Sequence, residues 1–90
     1  MPSLIDKIKS GVLIVDVRSE YEYEDGHYPN AVNIPVDQMQ GRMSEFGDKT
    51  KPVIVYCESG ARSAYAAKVL RVAGYTDVVN AGGLSDMPGY

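Results

Sequence analysis

The sequence has few of the residues that define several protein classes. Among its 90 residues are one cysteine, one histidine and no tryptophan, and the net charge is −3. A single cysteine cannot form an internal disulfide, so the thiol is either available for chemistry or simply buried, and a reducing compartment suits both cases. We therefore expect a cytoplasmic protein. A negative chain without a basic stripe binds nucleic acid poorly, so we expect no nucleic-acid partner.

Long apolar runs are also missing. The longest runs cover residues 12–15 and 53–57, which is far too short to span a membrane. The amino terminus lacks a basic stretch followed by a long apolar one, so we expect an unexported protein with no membrane partner. Repeats and changes in composition along the chain are absent as well. The sequence therefore predicts a single domain over residues 1–90, near the small end for a self-sufficient core.

Strand-like and helix-like segments alternate along the chain. Apolar and β-branched runs predict strands at residues 12–17, 31–34, 53–57 and 78–79, and helices are predicted at 3–10, 19–25, 36–46 and 63–73. Ser3 and Ser19 each precede an acidic residue by three positions, as in a capping box, and Gly74 is placed to end the last helix. This alternation predicts an α/β fold, a single small domain with a mostly parallel central sheet and helices on both faces.

The only cysteine comes at the end of a predicted strand. The run Val53–Cys57 leads into a loop of small residues, and a helix is predicted to begin at Ser63. Such a turn directs backbone N–H groups and the positive end of a helix dipole at one point. Because negative charge on sulfur is stabilised there, we expect Cys57 to be a thiolate more often than a free cysteine. The alternative, an inert buried cysteine, is disfavoured by the loop and helix that follow.

The order of several short motifs resembles that of single-domain rhodaneses. The matching positions run from about residue 12 to about residue 84 and are Asp16-Val17-Arg18, Glu22-Tyr23, Gly26-His27, Pro29, Asn33-Ile34-Pro35, Tyr56-Cys57-x-Ser59-Gly60-x-Arg62-Ser63, Ala66-Ala67, Leu70, Gly74-Tyr75, Val78 and Gly82-Gly83. Any one of these occurs by chance in many chains, but the ordered set around the cysteine loop is specific.

The resemblance implies a rhodanese-like fold and a sulfurtransferase activity. In that family the cysteine takes a sulfane sulfur from a donor such as thiosulfate or a persulfide and holds it as a persulfide. The sulfur then passes to a thiophilic acceptor such as cyanide, a thiol or a protein thiol. A thiolate and a persulfide are both anions, so backbone N–H donors stabilise both states, and we expect neither a cofactor nor a metal.

The candidate site is the loop that begins at Cys57, the expected catalytic residue. The residues expected to bind substrate and stabilise the persulfide are Glu58, Ser59, Gly60, Ala61, Arg62 and Ser63. The small residues at 59–61 let N–H groups approach one point, and Gly60 can adopt positive φ. Arg62 is expected to bind anionic donors. Glu58 acts in the opposite direction, because its carboxylate repels such donors and raises the pKa of the neighbouring thiol.

Two more residues are predicted to support the site from the end of another strand. Asp16 and Arg18 lie where ligands gather in a parallel sheet, at the carboxyl ends of its strands. We favour a structural role, in which the carboxylate holds the turn or forms an ion pair, over a catalytic pair. His27 is likewise expected to be a hydrogen-bonded scaffold residue and not a proton carrier.

Other functions can use a cysteine loop. Cysteine phosphatases place five residues between cysteine and arginine, whereas four separate Cys57 from Arg62, and the resemblance assigns the shorter loop to sulfurtransferases. A cysteine protease is disfavoured because no histidine stands beside Cys57 in the sequence. The remaining alternative is a non-catalytic binding or sulfur-relay module. One further departure from the family is the missing tryptophan after the glycine pair, where Met87 is expected to fill the same hydrophobic slot.

Overall fold

The computed structural model describes residues 3–90. Its centre is a sheet of four strands, which are β1 (Leu13–Asp16), β2 (Val32–Asn33), β3 (Val53–Cys57) and β4 (Val78–Gly83). They lie in the order β2-β1-β3-β4, and all three neighbouring pairs are parallel. The predicted α/β fold with a mostly parallel sheet is therefore confirmed, and β1 is an inner strand, as its continuous apolar run predicts.

Among the described residues, three α-helices flank the sheet: α1 (Leu4–Lys9), α2 (Glu20–Asp25) and α3 (Ala61–Val72). Both predicted capping boxes are present. The hydroxyl of Ser3 accepts the N–H of Asp6 at the start of α1, and the hydroxyl of Ser19 accepts the N–H of Glu22 at the start of α2. Within residues 3–90, no helix combines the length and the hydropathy that crossing a bilayer requires.

Helix α3 begins at Ala61, two residues before the predicted start at Ser63. Gly60 precedes it with a φ of 100°, and this left-handed residue lets the chain enter the helix directly from the cysteine loop. The other end is as predicted. Gly74 has a φ of 104°, and the N–H groups of Gly74 and Tyr75 donate back to the last turn in the two hydrogen bonds of a Schellman motif.

The predicted helix over residues 36–46 is present, but it is a 3-10 helix with a break. The segment Val36–Phe46 makes 3-10 turns, and Arg42 interrupts them with φ −128° and ψ 22°. Apolar side chains recur every three residues on each side of this break, at 36 and 39 and again at 43 and 46. A spacing of three matches the 3-10 period, so the break keeps both halves facing the core.

Helical segments cover both faces of the sheet, as predicted. On one face, α3 and the 3-10 segment pack on the strands, and the core there includes Val15, Ile34, Met39, Phe46, Val55, Cys57, Ala67 and Leu70. On the other face, α1 and the C-terminal residues cover Ile14, Tyr28, Ile54, Tyr56, Leu84 and Met87. Met87 is buried in this second cluster, so the short C-terminal segment completes a core layer.

Candidate active site

Cys57 is the last residue of β3, at the carboxyl end of the sheet, and its side chain is fully buried. The loop that follows bends back over the sulfur. The backbone N–H of Gly60 donates to Sγ at 2.9 Å, and the hydroxyl oxygen of Ser63 lies 3.4 Å from Sγ. Ser59 and Ala61 are exposed on the outside of the bend, and Ser63 is buried in the first turn of α3. The predicted loop therefore surrounds the sulfur with donors.

Two opposing effects set the pKa of the Cys57 thiol. Burial raises the pKa, because it disfavours the charged thiolate. The Ser63 hydroxyl and the backbone N–H groups of Ser63, Gly60 and Ser59 donate toward the sulfur and together outweigh burial, so the pKa of Cys57 lies below its ordinary value. The direction agrees with the expectation from the sequence, and hydrogen bonds from the loop produce it.

Strand β4 extends further than predicted and ends against the cysteine loop. Gly83 pairs with Cys57 across the sheet, next to an irregularity in the register of β3 and β4. A Cβ at Gly83 would overlap the carbonyl oxygen of Glu58 and lie 3.1 Å from its carbonyl carbon. Gly82 has a φ of 90° and lies against Gly60. A Cβ added at Gly60 would lie 3.4 Å from the Cα of Gly82. The glycine pair lets two backbones approach at the site.

Asn80 on β4 also reaches the site and is not among the residues predicted from the sequence. Its Oδ1 accepts the N–H of Gly82 at 3.0 Å and lies 2.7 Å from the hydroxyl oxygen of Ser63, within hydrogen-bonding distance. Its Nδ2 donates to the carbonyl of Gly60 at 3.4 Å. The signal available in the sequence is a polar residue within an apolar strand, two positions before the glycine pair.

Arg62 lies at the edge of the loop, where it is bound to a carboxylate from α2. Its Nη1 and Nη2 donate to the two carboxylate oxygens of Glu22 at 2.6 and 2.9 Å. This pair holds the pKa of Glu22 at about 2, well below its ordinary value, chiefly through the hydrogen bond from Arg62. The same hydrogen bond raises the pKa of Arg62, and the charge of Cys57 raises it further. The cation thus stands near the sulfur, half-buried and already paired.

Glu58 follows Cys57 directly, but its exposed side chain is directed at another group. Its Oε2 lies 3.8 Å from Nη1 of Arg18, so its charge is partly compensated there. From the sequence, Glu58 is expected to raise the pKa of the neighbouring thiol. The net direction of the pKa of Cys57 is downward, so any such effect of Glu58 is smaller than that of the loop donors.

Asp16 and Arg18 form a buried ion pair on the opposite face of the sheet from α3. Nε and Nη2 of Arg18 bind the carboxylate at 2.8–3.1 Å, and Nη2 also donates to the carbonyl of Gly26 at 2.6 Å. The hydroxyl of Tyr56 donates to Oδ2 of Asp16 at 2.7 Å and accepts the N–H of Tyr28 at 3.0 Å. These contacts tie β1, β3 and the turn after α2 together, which favours the structural role over a catalytic one.

His27 is an exposed residue of the scaffold. Its ring stacks on that of Tyr23 with centroids 3.7 Å apart, and its Nδ1 lies 2.8 Å from the carbonyl of Tyr23, close enough to donate to it. Both of these contacts are with Tyr23, and neither involves the cysteine loop. In the described part of the chain, no group of three or more histidine, cysteine, aspartate or glutamate side chains is arranged to hold a metal ion.

Comparisons with known proteins agree with this geometry. The family described as "Rhodanese-like domain" matches residues 2–87. The chain is 40% identical over 74 residues to thiosulfate sulfurtransferase PspE of Escherichia coli K12, covering 81% of this chain and 71% of that protein. It is also 39% identical over 70 residues to thiosulfate sulfurtransferase GlpE of Coxiella burnetii, covering 78% of this chain and 64% of that protein.

Solved structures show the same likeness. A rhodanese with anions from E. coli superposes with a TM-score of 0.80 at 39% identity, over 84% of this chain and 91% of that one. A human single-domain sulfurtransferase superposes with a TM-score of 0.82 at 28% identity, over 92% of this chain and 86% of that one. With a family match over nearly its whole length, the chain belongs to the rhodanese-like domain family.

Proposed function

We propose that this protein is a sulfurtransferase that carries a sulfane sulfur on Cys57 as a persulfide. One observation supports this above all: the Sγ of Cys57 lies inside a bend that directs the Gly60 N–H at it and places the Ser63 hydroxyl oxygen 3.4 Å away. Such donors stabilise an anionic sulfur without a metal or a general base. The relatives from E. coli and C. burnetii, named as thiosulfate sulfurtransferases, support the same activity.

The two steps are displacements at sulfur. The Cys57 thiolate attacks the outer sulfur of the donor, a new bond to Sγ forms, and the S–S bond of the donor breaks with its electron pair leaving on sulfite when the donor is thiosulfate. A thiophilic acceptor, cyanide or a thiolate, then attacks the outer sulfur of the persulfide. The bond to Sγ breaks, and its electron pair restores the Cys57 thiolate. No external oxidant or reductant is consumed.

The charges around the loop favour a persulfide, small or protein-borne, over the thiosulfate dianion as the donor. Arg62 shares its charge with Glu22, and Glu58 adds an exposed carboxylate at the loop. We assign Arg62 to binding whatever anionic donors the site accepts. Arg62→Ala should then weaken the use of thiosulfate more than that of an uncharged organic trisulfide, and Glu22→Gln should improve the use of thiosulfate because it frees the guanidinium.

Arg42 provides the matched control for these variants, because it forms a similar pair with Glu45 on the 3-10 segment. Arg42→Ala should leave the rates of sulfur transfer from both donors unchanged. Equal losses with both donors in Arg62→Ala would contradict a role in binding anions, even if sulfur transfer itself is intact.

Intact-protein mass spectrometry tests the activity itself. After incubation with thiosulfate or an organic persulfide, the protein should gain the mass of one sulfur atom, which cyanide removes. Cys57→Ser should gain none. Formation of thiocyanate at a rate proportional to the persulfide-bearing fraction would complete the cycle.

A second candidate is a non-catalytic binding or sulfur-relay module. Cys57 is fully buried, so a donor of any size must first reach the sulfur, and this limited access favours binding without turnover. If no donor adds sulfur to a folded protein with a titratable thiol, the binding module replaces the enzyme as our proposal. In either case, a reducing cytoplasmic compartment remains our expectation for a chain with one functional thiol.

A further inference from the structure

The hydroxyl of Ser63 has one proton and several acceptors. Four lie within reach: Oδ1 of Asn80 at 2.7 Å, the carbonyl of Gly60 at 3.1 Å, Sγ of Cys57 at 3.4 Å and the carbonyl of Gly82 at 3.4 Å. Ser63 is fully buried, so its proton goes to one of these protein groups. Donation to one acceptor therefore excludes donation to the others.

The orientation of the Asn80 amide follows from a backbone contact. The N–H of Gly82 lies 3.0 Å from the atom assigned as Oδ1, and only the amide oxygen can accept that hydrogen. This oxygen is also the closest acceptor to Ser63. In this arrangement the Ser63 hydroxyl donates its hydrogen bond to Oδ1 of Asn80, and a lone pair of the Ser63 oxygen is free to face Sγ. The Ser63 oxygen can then accept a hydrogen bond from the S–H group of a protonated Cys57.

We propose that Asn80 is a positioning residue for sulfur transfer: its Oδ1 accepts the hydrogen bond of the Ser63 hydroxyl while Sγ is uncharged, and the hydroxyl donates to Sγ instead when Sγ becomes a thiolate. The role rests on the proposed function. Sγ is charged in the free thiolate and again when the sulfur leaves, but it is a neutral bridging atom in the persulfide, whose charge is on the outer sulfur. The hydroxyl therefore turns toward Sγ in one half of the cycle and toward Asn80 in the other.

A consequence is that thiolate formation breaks the bond between Ser63 and Asn80. Asn80→Ala removes the nearest competing acceptor and leaves only the carbonyls of Gly60 and Gly82 at 3.1 and 3.4 Å, so the pKa of Cys57 should fall, by at most about 0.5 to 1 unit. Asn80→Asp keeps an acceptor oxygen and adds a negative charge, so the pKa of the Cys57 thiol should rise. The nearby ion pairs of Arg62 with Glu22 and of Arg18 with Glu58 are unchanged in both variants, so they do not account for opposite shifts.

The test is the pH profile of Cys57 alkylation by iodoacetamide, which needs no sulfur transfer. The substitution Asn80→Ala is made both in the unmodified sequence and in Ser63→Ala, and the alkylation pKa of each variant is compared with that of its parent. Folding of each variant is checked by circular dichroism. We expect Asn80→Ala to lower the pKa only when the serine is present, with a change below about 0.2 unit in Ser63→Ala. The rate of sulfur release from the persulfide to cyanide should also fall in Ser63→Ala.

The results separate this inference from the proposed function. An equal shift with and without Ser63, or no shift in a folded Asn80→Ala, would overturn the role of Asn80 while sulfur loading of Cys57 still stands. If Asn80→Ala does not fold, Asn80→Asp is measured with and without Ser63, and a rise in pKa that is equal in the two backgrounds would contradict the role, because charge repulsion alone would then explain it. Absence of sulfur loading would refute the proposed function, whereas the coupling between Asn80 and Ser63 would still be measurable.

Discussion

Replacing Gly83 with alanine should force β4 away from the cysteine loop. The new Cβ would overlap the carbonyl oxygen of Glu58 and lie 3.1 Å from its carbonyl carbon, against about 3.5–4.0 Å for a favourable carbon–carbon contact. The two backbones must therefore separate by at least about half an ångström. Gly83 has a φ of −88°, which any residue adopts, so steric overlap is the only penalty at this position.

The size of the expected destabilisation follows from steric overlap with a backbone carbonyl, which cannot move aside as a flexible side chain can. We expect a loss of about 2–3 kcal/mol in the free energy of unfolding, or roughly 10–20 °C in Tm for a domain of this length. Because Gly83 pairs with Cys57, the same shift should disturb the donors around Sγ. The alkylation pKa of Cys57 should therefore rise toward that of a free cysteine.

Two other glycines are the controls in urea unfolding experiments. Gly41 has no heavy atom within 4 Å of a built Cβ and no positive φ, so Gly41→Ala should change stability by less than about 0.5 kcal/mol. Gly47 has equally open space but a φ of 77°, so Gly47→Ala should cost about 1 kcal/mol of backbone strain alone. If Gly83→Ala is no more destabilising than Gly47→Ala, the close approach of the two backbones is not the reason for glycine at this position.

Two further predictions concern groups around the site. Tyr56→Phe should lower the free energy of unfolding by about 2–3 kcal/mol, because the carboxylate of Asp16 and the N–H of Tyr28 each lose a buried partner; a loss below about 0.5 kcal/mol in urea unfolding would contradict this. The pKa of Glu22 is about 2 in the fold, below its ordinary 4.5, so the pair with Arg62 contributes stability above pH 4.5 that is lost as the pH falls through 2. Both side chains are about one-third exposed, so we expect only about 0.5–1 kcal/mol, seen as a difference from Glu22→Gln that disappears at low pH; a difference independent of pH would refute it.

Most of the fold follows from local patterns in the sequence. Capping boxes, the glycine after α3 and the apolar β-branched runs depend on neighbours within a few residues, and the structure confirms them. The segment Val36–Phe46 shows the limit of such patterns. Apolar spacings of three and four fit an α-helix or a broken 3-10 helix equally well, and packing on the core decides between them.

The site divides in the same way. Residues 57–63 are contiguous, so the order of cysteine, small residues and helix start already places donors around the sulfur. The pairing of Arg62 joins residues forty positions apart, and Asn80 reaches Ser63 from another strand. Neither contact leaves a periodic signal in the sequence, because a single polar residue in a helix or a strand is compatible with many neighbours.

The sequence by itself therefore determined the parallel α/β order of elements and the strand–loop–helix setting of Cys57, since both rest on local propensity and short-range spacing. The resemblance to rhodaneses also came from the sequence, through the order of its short motifs. Only the tertiary structure decided which charges are free and which are paired. Glu22 holds Arg62, Glu58 faces Arg18, and the glycine pair on β4 brings Asn80 to the loop. These contacts depend on sheet register and helix packing over long sequence separations, and the electrostatics of the cysteine loop depend on them.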